Sequence, residues 1–506
     1  MVSQSRYRRV AVAVLCVLVL GGIYGIARIT HPTGAPNRQA ATEAVAVSTA
    51  IRACSAPGSS WPTAASVALA AVPGSARTGT AVVRSLSPVG GTSAGQVVAT
   101  DSQPGVLQVS GVPAAPPLSP AELAGQPGSS PTIRTVPGSG GVIVSATGAM
   151  AQGLEVEQTG SDGLATAQCS APGTSFWFVG PGQSSAGTIE LYLTNTGNSP
   201  ADAQVQALTD VTNGPPVLGN ADNGITVPPH GMVVQSLTGL LQASKVIALN
   251  VSTTVGQVVA SVRESQSGSQ DGIWLPATQA PAQRLVIPGL PGAAGTPYLY
   301  VAVPGTAPAM VKITAITQKG SYAPTGGTGI DLLGGSVTDI PLPSLGGVAG
   351  AVSISASAPI TATMVIPGGP AGGTAALAAS SGPVLEQGVL AANPAGATWL
   401  VLSAPGKAAS VRIAVATTPT SSAKHAGQVV HIPARSSIVM PVAPPAGSSA
   451  SQFAFVVTPL RGSGPVFGGR IIGSGGNVVS ILPVPSSLTS IPLPSVSESL
   501  SGIVGS

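Results

Sequence analysis

The chain has 506 residues, of which 43% are hydrophobic and only 7% charged, against roughly 25% charged in an ordinary soluble domain. Its 66 glycines, 48 prolines and 3% aromatics, with Val, Ile, Thr, Ala and Ser filling most of the rest, favour strands joined by turns over helices and exclude a highly charged disordered chain. The net charge of +4 is 20 basic against 16 acidic residues, and no Lys/Arg cluster with interleaved aromatics follows the first ten positions, so no nucleic-acid footprint is present.

Arg6, Arg8 and Arg9 precede an uncharged, mostly apolar run from Val10 to Ala27. As a helix this run spans about 27 Å, close to the hydrocarbon thickness of a bilayer, and the arginines keep that end cytoplasmic. Residues 1–30 are therefore expected to be a cytoplasmic stub and signal-anchor helix, a single pass with the bulk of the chain outside. Cleavage as a signal peptide, at a weak Gly25-Ile26-Ala27 site, is the alternative. Cys16 follows Leu15 rather than a small residue, so it is expected to pack in lipid, not to be lipidated. Residues 31–39 read as a linker.

Cys54 and Cys169 are the only cysteines beyond the membrane segment, and each opens the same phrase, CSAPGSSW and CSAPGTSFW. Outside the cell disulfides persist, so a Cys54–Cys169 bridge is expected, worth about 4–5 kcal/mol in the chain-entropy picture. Two buried free thiols are the alternative. If each phrase opens a structural unit, the bridge ties the start of one unit to the start of the next.

A strand, a Gly-containing turn and a second strand recur in IELYLTNTGNSPADAQVQALTD from Ile189, YLYVAVPGTAPAMVKITAITQ from Tyr298 and TWLVLSAPGKAASVRIAVATT from Thr398, with a weaker copy from Ser66. GITVPPHGMVVQSL from Gly224 resembles VVHIPARSSIVMPV from Val429, and GGSVTDIPL is a looser third match. Pairs of β-rich runs follow, VIALNVSTTVGQVVASVRES, AVSISASAPITATMVIPG and FAFVVTPLRGSGPVFGGRII, and read as hairpins. Units of about 100 residues with turns every 8–12 predict an all-β chain of tandem Ig-like sandwiches. A β-propeller-like array is the alternative, although its blades normally repeat at about 40–50 residues. The expected units are 40–168, 169–274, 275–392 and 393–482, with a Ser/Pro-rich disordered tail at 483–506.

On CSAPGTSFWFVG, GTIELYLTNTGNSPADAQVQALT and ITVPPHG the chain resembles an uncharacterised actinobacterial family of secreted or membrane-anchored proteins, a domain of unknown function. The matching positions are Trp177-Phe178, Asn195 to Gly197 and Val227 to Gly231. The likeness is strongest from Cys169 to Ser265. The third unit lacks the Pro-Pro turn, and the fourth has Pro433-Ala434-Arg435 in its place. The resemblance implies no activity and no catalytic residues.

The search for chemistry is correspondingly bare. No Ser elbow, zinc-protease helix motif or P-loop occurs. His31, His230, His425 and His431 read as linker, turn and strand residues, and none has carboxylates placed for a metal. Glu155 and Glu157 share a strand face, as a glycosidase pair would, but read as a solvated face. Asp222-Asn223-Gly224 is a turn, not a calcium loop, and the glycines of Gly326 to Gly335 are turns rather than a phosphate cradle. Trp61, Trp177, Trp274 and Trp399 fall near unit beginnings; they are expected to plug junctions, with a sugar-stacking platform as the alternative. The reading is thus a membrane-anchored, extracytoplasmic structural or interaction protein of the bacterial envelope, with no cofactor, no metal and no catalytic residue. A binding module for cell-wall glycan or an envelope partner is the first alternative, and a glycan hydrolase the second.

Overall fold

The computed structural model describes residues 14–15, 17–19, 21–22, 44–55, 66–71, 79–93, 96–101, 132–134, 141–160, 165–182, 187–210, 217–218, 224–237, 241, 244–265, 272–293, 295–367, 375–416, 427–444, 446, 448, 451–474 and 477–493. Of the expected membrane helix, residues 14, 15, 17–19, 21 and 22 are helical and the others lie outside the described residues, as does the linker 31–39. Among the described residues no helix is long and apolar enough to cross a membrane. Ala46–Ser490 is one compact unit, and its described residues are strand and turn apart from the 3-10 turn Pro343–Leu345.

One eight-strand pattern recurs along this unit. In its second copy the strands are Ser175–Pro181, Thr188–Thr194, Ala201–Thr209, Ile225–Val227, Gly231–Ser236, Val246–Val255, Val259–Ser265 and Gly272–Leu275. Strands four, three, six and one pair in that order as one sheet; strands five, two, seven and eight form the other. The fourth copy, from Gly388–Pro394 to Asn477–Pro483, repeats both orders. So does the first, from Thr49–Ser55 to Thr166–Gln168. In the third copy, from Ala282–Pro291 to Ala376–Ala379, strands six and seven are one 18-residue strand, Ala349–Ile366, whose first half pairs in one sheet and whose second half pairs in the other.

The runs expected to be hairpins are therefore not paired with each other. Val246–Val255 and Val259–Ser265 lie in different sheets, as do Gln452–Pro459 and Phe467–Ser474. The strand–turn–strand phrases cross in the same way: Thr188–Thr194 and Ala201–Thr209 belong to opposite sheets. Two alternating runs joined by a short turn look the same in sequence whether they lie side by side or face each other across a core. Here they face each other. Phe453 and Phe455 of one sheet share a core with Leu400 and Leu402 of the other, so each repeat is sandwich-like.

The turn between strands four and five fixes one of these crossings. It holds a left-handed residue at the same place in three repeats: His230 at φ 49°, Gly335 at 70° and Arg435 at 55°. The looser third match is thus the same turn built with glycine. Asn195 holds the turn between strands two and three of the second repeat. Buried at its position, it donates to the carbonyls of Ser199 (2.8 Å) and Val227 (3.0 Å) and accepts from Gly197 N–H (2.8 Å).

The repeats close into a ring. Ala53 and Ile143 of the first pack with Tyr192 and Val259 of the second. Tyr300 and Leu377 of the third join the core of the second. Val401 and Ile471 of the fourth join the core of the third. Val389, Ala391 and Ala454 of the fourth meet Ala68 and Ala70 of the first. Because of these junctions many strands are buried on both faces, which is why they read as continuous apolar runs. Small residues set the spacing: a Cβ on Gly469 would sit 2.6 Å from Gly289 Cα across the junction of repeats three and four.

Two expected boundaries change. The break between 392 and 393 falls inside the strand Gly388–Pro394, which opens the fourth repeat. The tail does not begin as disorder at Pro483: Val484 and Ser487 are buried, and Ser490–Pro492 is a strand, while 494–506 lies outside the described residues. The duplicated CSAPG phrase does not mark equivalent places either. Cys54 sits near the end of the first strand of its repeat, whereas Cys169 precedes the first strand of the next.

Gly335→Ala is expected to cost about 1–2 kcal/mol, the penalty of a side chain in the left-handed region, since open space surrounds the position. Gly469→Ala is expected to cost about 1–3 kcal/mol or more, because backbone must separate at the junction. Gly382→Ala, with nothing within 4 Å and an ordinary φ, serves as the neutral control in urea denaturation.

Candidate functional site at the centre of the ring

The eighth strands of all four repeats border one cavity of about 440 Å³. Thr166–Gln168, Gly272–Leu275, Ala376–Ala379 and Asn477–Pro483 reach it from the four sides. Such a volume falls in the range of small-molecule sites, roughly 300–1,000 Å³. Cys54 stands at its edge, bonded to Cys169 (S–S 2.01 Å, Cα–Cα 4.5 Å), with both residues buried. Beside the disulfide, Ala53 N–H donates to the Ser170 carbonyl (3.0 Å) and Ser55 Oγ–H to Ser261 Oγ (2.9 Å), joining repeats one and two.

Behind the wall lies a network of charges where the first repeat meets the fourth. Glu157 and Arg470 are both 0% exposed and 2.7 Å apart. Arg470 Nη1 also donates to the Ala392 carbonyl (2.8 Å), and its Nη2 to Thr166 Oγ1 (2.7 Å). The other Glu157 oxygen accepts from Ala391 N–H (2.7 Å). Glu155, two residues back on the same strand face, accepts from Arg52 (3.4 Å), Gln168 (3.1 Å) and Ser487 (3.1 Å). Burial pushes the Glu155 carboxyl above its ordinary value, and Arg52 first, then Gln168 and Ser487, pull it back.

The expectation that Glu155 and Glu157 form a solvated face is thus overturned; both are buried. Their partners come from residues far away in the chain, which local alternation does not reveal. Arg470 was not singled out by sequence reasoning. The available signal was a lone charge inside the otherwise uncharged strand Phe467–Ser474.

The other expected site residues are scattered. Trp274 borders the cavity, its ring tilted 56° against Tyr192 at 5.1 Å. Trp177 is half-buried against the core of the second repeat, and Trp399 is 44% exposed on the fourth. Trp61, His31, His425 and Asp222-Asn223 lie outside the described residues. His230 is half-buried and His431 exposed, and they bond Asn198 Oδ1 and Ser410 Oγ, each at 2.8 Å. The glycines at 326, 329 and 335 are left-handed turn residues around the strand Ile330–Leu332. Among the described residues no group of three His, Cys, Asp or Glu side chains is placed to hold a metal ion.

One further charge stands near the junction of repeats two and three. Glu264 is buried, its Oε1 has no partner among the described residues, and burial raises its carboxyl well above the ordinary value of 4.5. Tyr300, in the neighbouring repeat, is pushed up to about 12 by burial, then by Asp339 and Glu264.

These features define an all-β repeat protein closed into a ring around a small cavity. The chain belongs to the DUF5719 family, a family of unknown function whose model matches residues 123–443. No curated protein and no solved structure matches the chain.

Removing one partner of the buried pair strands the other. Arg470→Met is expected to cost about 3–5 kcal/mol in urea denaturation, and Glu157→Leu combined with Arg470→Met to recover much of that loss. Glu264 gives a pH signature. Above 4.5 the unfolded chain releases this proton while the folded chain keeps it, so the folded state binds more protons and stability falls as pH rises. Glu264→Gln is expected to flatten that decline and leave stability at pH 4 little changed; denaturation midpoints across the pH range check it.

Proposed function

We propose that the chain is an extracytoplasmic structural or interaction protein of the bacterial cell envelope, held in the plasma membrane by the run Val10 to Ala27, with its four repeats outside. The observation that carries this reading is the Cys54–Cys169 disulfide, because such bonds persist in oxidising compartments and are rare in the cytosol. The arginines before the apolar run favour the same orientation; cleavage and secretion is the alternative outcome. To this proposal belongs the view of each repeat as a tandem Ig-like sandwich of about 100 residues, although its chain crosses between sheets more often than an immunoglobulin domain does. No catalytic activity is assigned: Glu157 is paired with Arg470 across the junction and Glu155 with Arg52 within the first repeat, which suits a rigid scaffold. Its partners on this reading are the membrane and another envelope component.

The test is to express the full chain with a C-terminal tag in a bacterial host, fractionate it and alkylate thiols before and after reduction. The expected result is recovery with the membranes, a tag that external protease removes from spheroplasts, and Cys54 and Cys169 that alkylate only after reduction. A cytosolic chain whose two cysteines alkylate at once would overturn the reading.

A further inference from the structure

We propose that the basic turns of the fourth repeat form a docking surface for the anionic lipid headgroups of the membrane that holds the chain. This rests on the anchored reading and adds to it the lipid that the ring touches.

The first argument is charge. From Gly388 to Pro483 the chain has Lys407, Arg412, Lys424, Arg435, Arg461 and Arg470 and not one Asp or Glu. The loops of this repeat that lie outside the described residues therefore add no acid. Arg470 is buried against Glu157, and Lys424 lies outside the described residues. Lys407, Arg435 and Arg461 are exposed, and the ion pairs among the described residues include none of them. Each stands on a turn: Lys407 between strands two and three, Arg435 between four and five, Arg461 between six and seven. The matching turns of the second and third repeats, 195–200, 228–230, 256–258, 304–308 and 333–335, carry no charged residue. Turn formation thus does not require these cations. At the left-handed place that Arg435 occupies, the third repeat uses Gly335. A side chain in that conformation is costly, so the guanidinium serves something other than the turn.

The second argument is place. Gly464 N–H donates to the Ala408 carbonyl (3.0 Å) and Leu460 N–H to the Ser410 carbonyl (2.8 Å), joining the turns of Arg461 and Lys407. Ile432 and Ser436, which flank the Arg435 turn, pair with Ala409 and Ala404, which flank the Lys407 turn. The three cations therefore share one end of the repeat, and the chain leaves the ring at that end. Pro483 pairs with Gly469, just beyond the Arg461 turn. Glu386, two residues before the Gly388–Val457 pair, accepts from Thr489 N–H (3.2 Å), Thr489 Oγ1 (3.0 Å) and Ser490 Oγ (3.1 Å). The acid placed here is thus engaged by three donors. Val47 N–H donates to the Thr489 carbonyl (2.9 Å), so the chain also enters the ring there.

Residues 28–45 join that entry to the apolar run Val10 to Ala27, and they reach at most about 60 Å. Within a Debye length of an anionic surface each Lys or Arg is worth roughly fivefold in binding. Three cations are enough for a tethered body, because the tether supplies the effective concentration. A soluble polyanion has no such tether, which favours lipid as the partner.

The test uses the full chain with Cys16→Ser, carrying a fluorophore on Gly406→Cys, a turn position with open space around it. It is reconstituted in vesicles of phosphatidylcholine alone or with about 30% phosphatidylglycerol, each with nitroxide-headgroup lipid as quencher. A second label on Ala395→Cys, exposed in the turn at the opposite end of the repeat, is the control. The Gly406 label is expected to be quenched in anionic vesicles, little in neutral ones, and to recover in about 0.5 M salt, while the Ala395 label stays bright. Lys407→Gln combined with Arg435→Gly and Arg461→Gln is expected to lose docking roughly a hundredfold, down to the quenching seen in neutral vesicles. Equal quenching in the two vesicles, quenching that survives the triple variant, or none in either overturns the proposal; polyphosphate bound without lipid quenching assigns a soluble polyanion instead. Flotation separates this from the anchor. A chain that fails to float with neutral vesicles defeats the anchored reading, whereas flotation with anionic vesicles that the triple variant abolishes still supports the lipid surface.

Discussion

The pairing of Arg470 with Glu157 requires the first and last repeats to meet. Neither side chain has any exposure, and neither charge is tolerable in an apolar interior alone. In an open row of four repeats the carboxylate would end one edge and the guanidinium the other, each beside bare alanine and valine surfaces such as Ala68, Ala70, Val389 and Ala454. Closure removes both charges and both surfaces together. The cavity bordered by strands of all four repeats presupposes that geometry, while the disulfide and the shared cores at the other three junctions join consecutive repeats.

Closure also accounts for the composition. A sheet with one wet face alternates apolar and polar residues, as Ala309–Thr317 still does. A sheet pressed between its own partner and a neighbouring repeat has little use for charge, as the fully buried Glu155–Thr159 illustrates when its two carboxylates are satisfied. Close approach then demands small residues, and the Gly289–Gly469 contact is the limiting case. Among the described residues the pair Glu157–Arg470 sits where two repeats join, and this places ionic structure at a junction.

What the sequence disclosed follows from range. The strand phrases from Ile189, Tyr298 and Thr398 are local, and they mark the same two strands in three repeats. The Cys54–Cys169 pair was legible because no other cysteines compete beyond the membrane segment. Crossing rather than pairing was not legible, because Val246–Val255 and Val259–Ser265 carry the same alternation either way. The ring was not legible, because its evidence is pairwise and distant: Glu155 with Ser487, Thr166 with Ser480, Ser437 with the Ile316 carbonyl. The repeated CSAPG misled because similarity of words was taken for equivalence of place. The start of the tail misled because Ser and Pro were read as disorder where Ser487 is a buried ligand of Glu155.

The separation within the closing pair also governs the order of assembly. Arg470 follows Glu157 by 313 residues, so a chain delivered from its N-terminus presents the carboxylate long before its partner exists. Until the fourth repeat arrives, the strand Glu155–Thr159 and the neighbouring Ser66–Ala70, each paired on both sides within their sheet, present an uncovered face, wetted by a charge that the finished protein buries. Contacts of such range are late and slow to form, and an apolar face left waiting is prone to associate with the wrong chain. The same bond that seals the finished ring thus leaves the growing one open for nearly the whole of its synthesis.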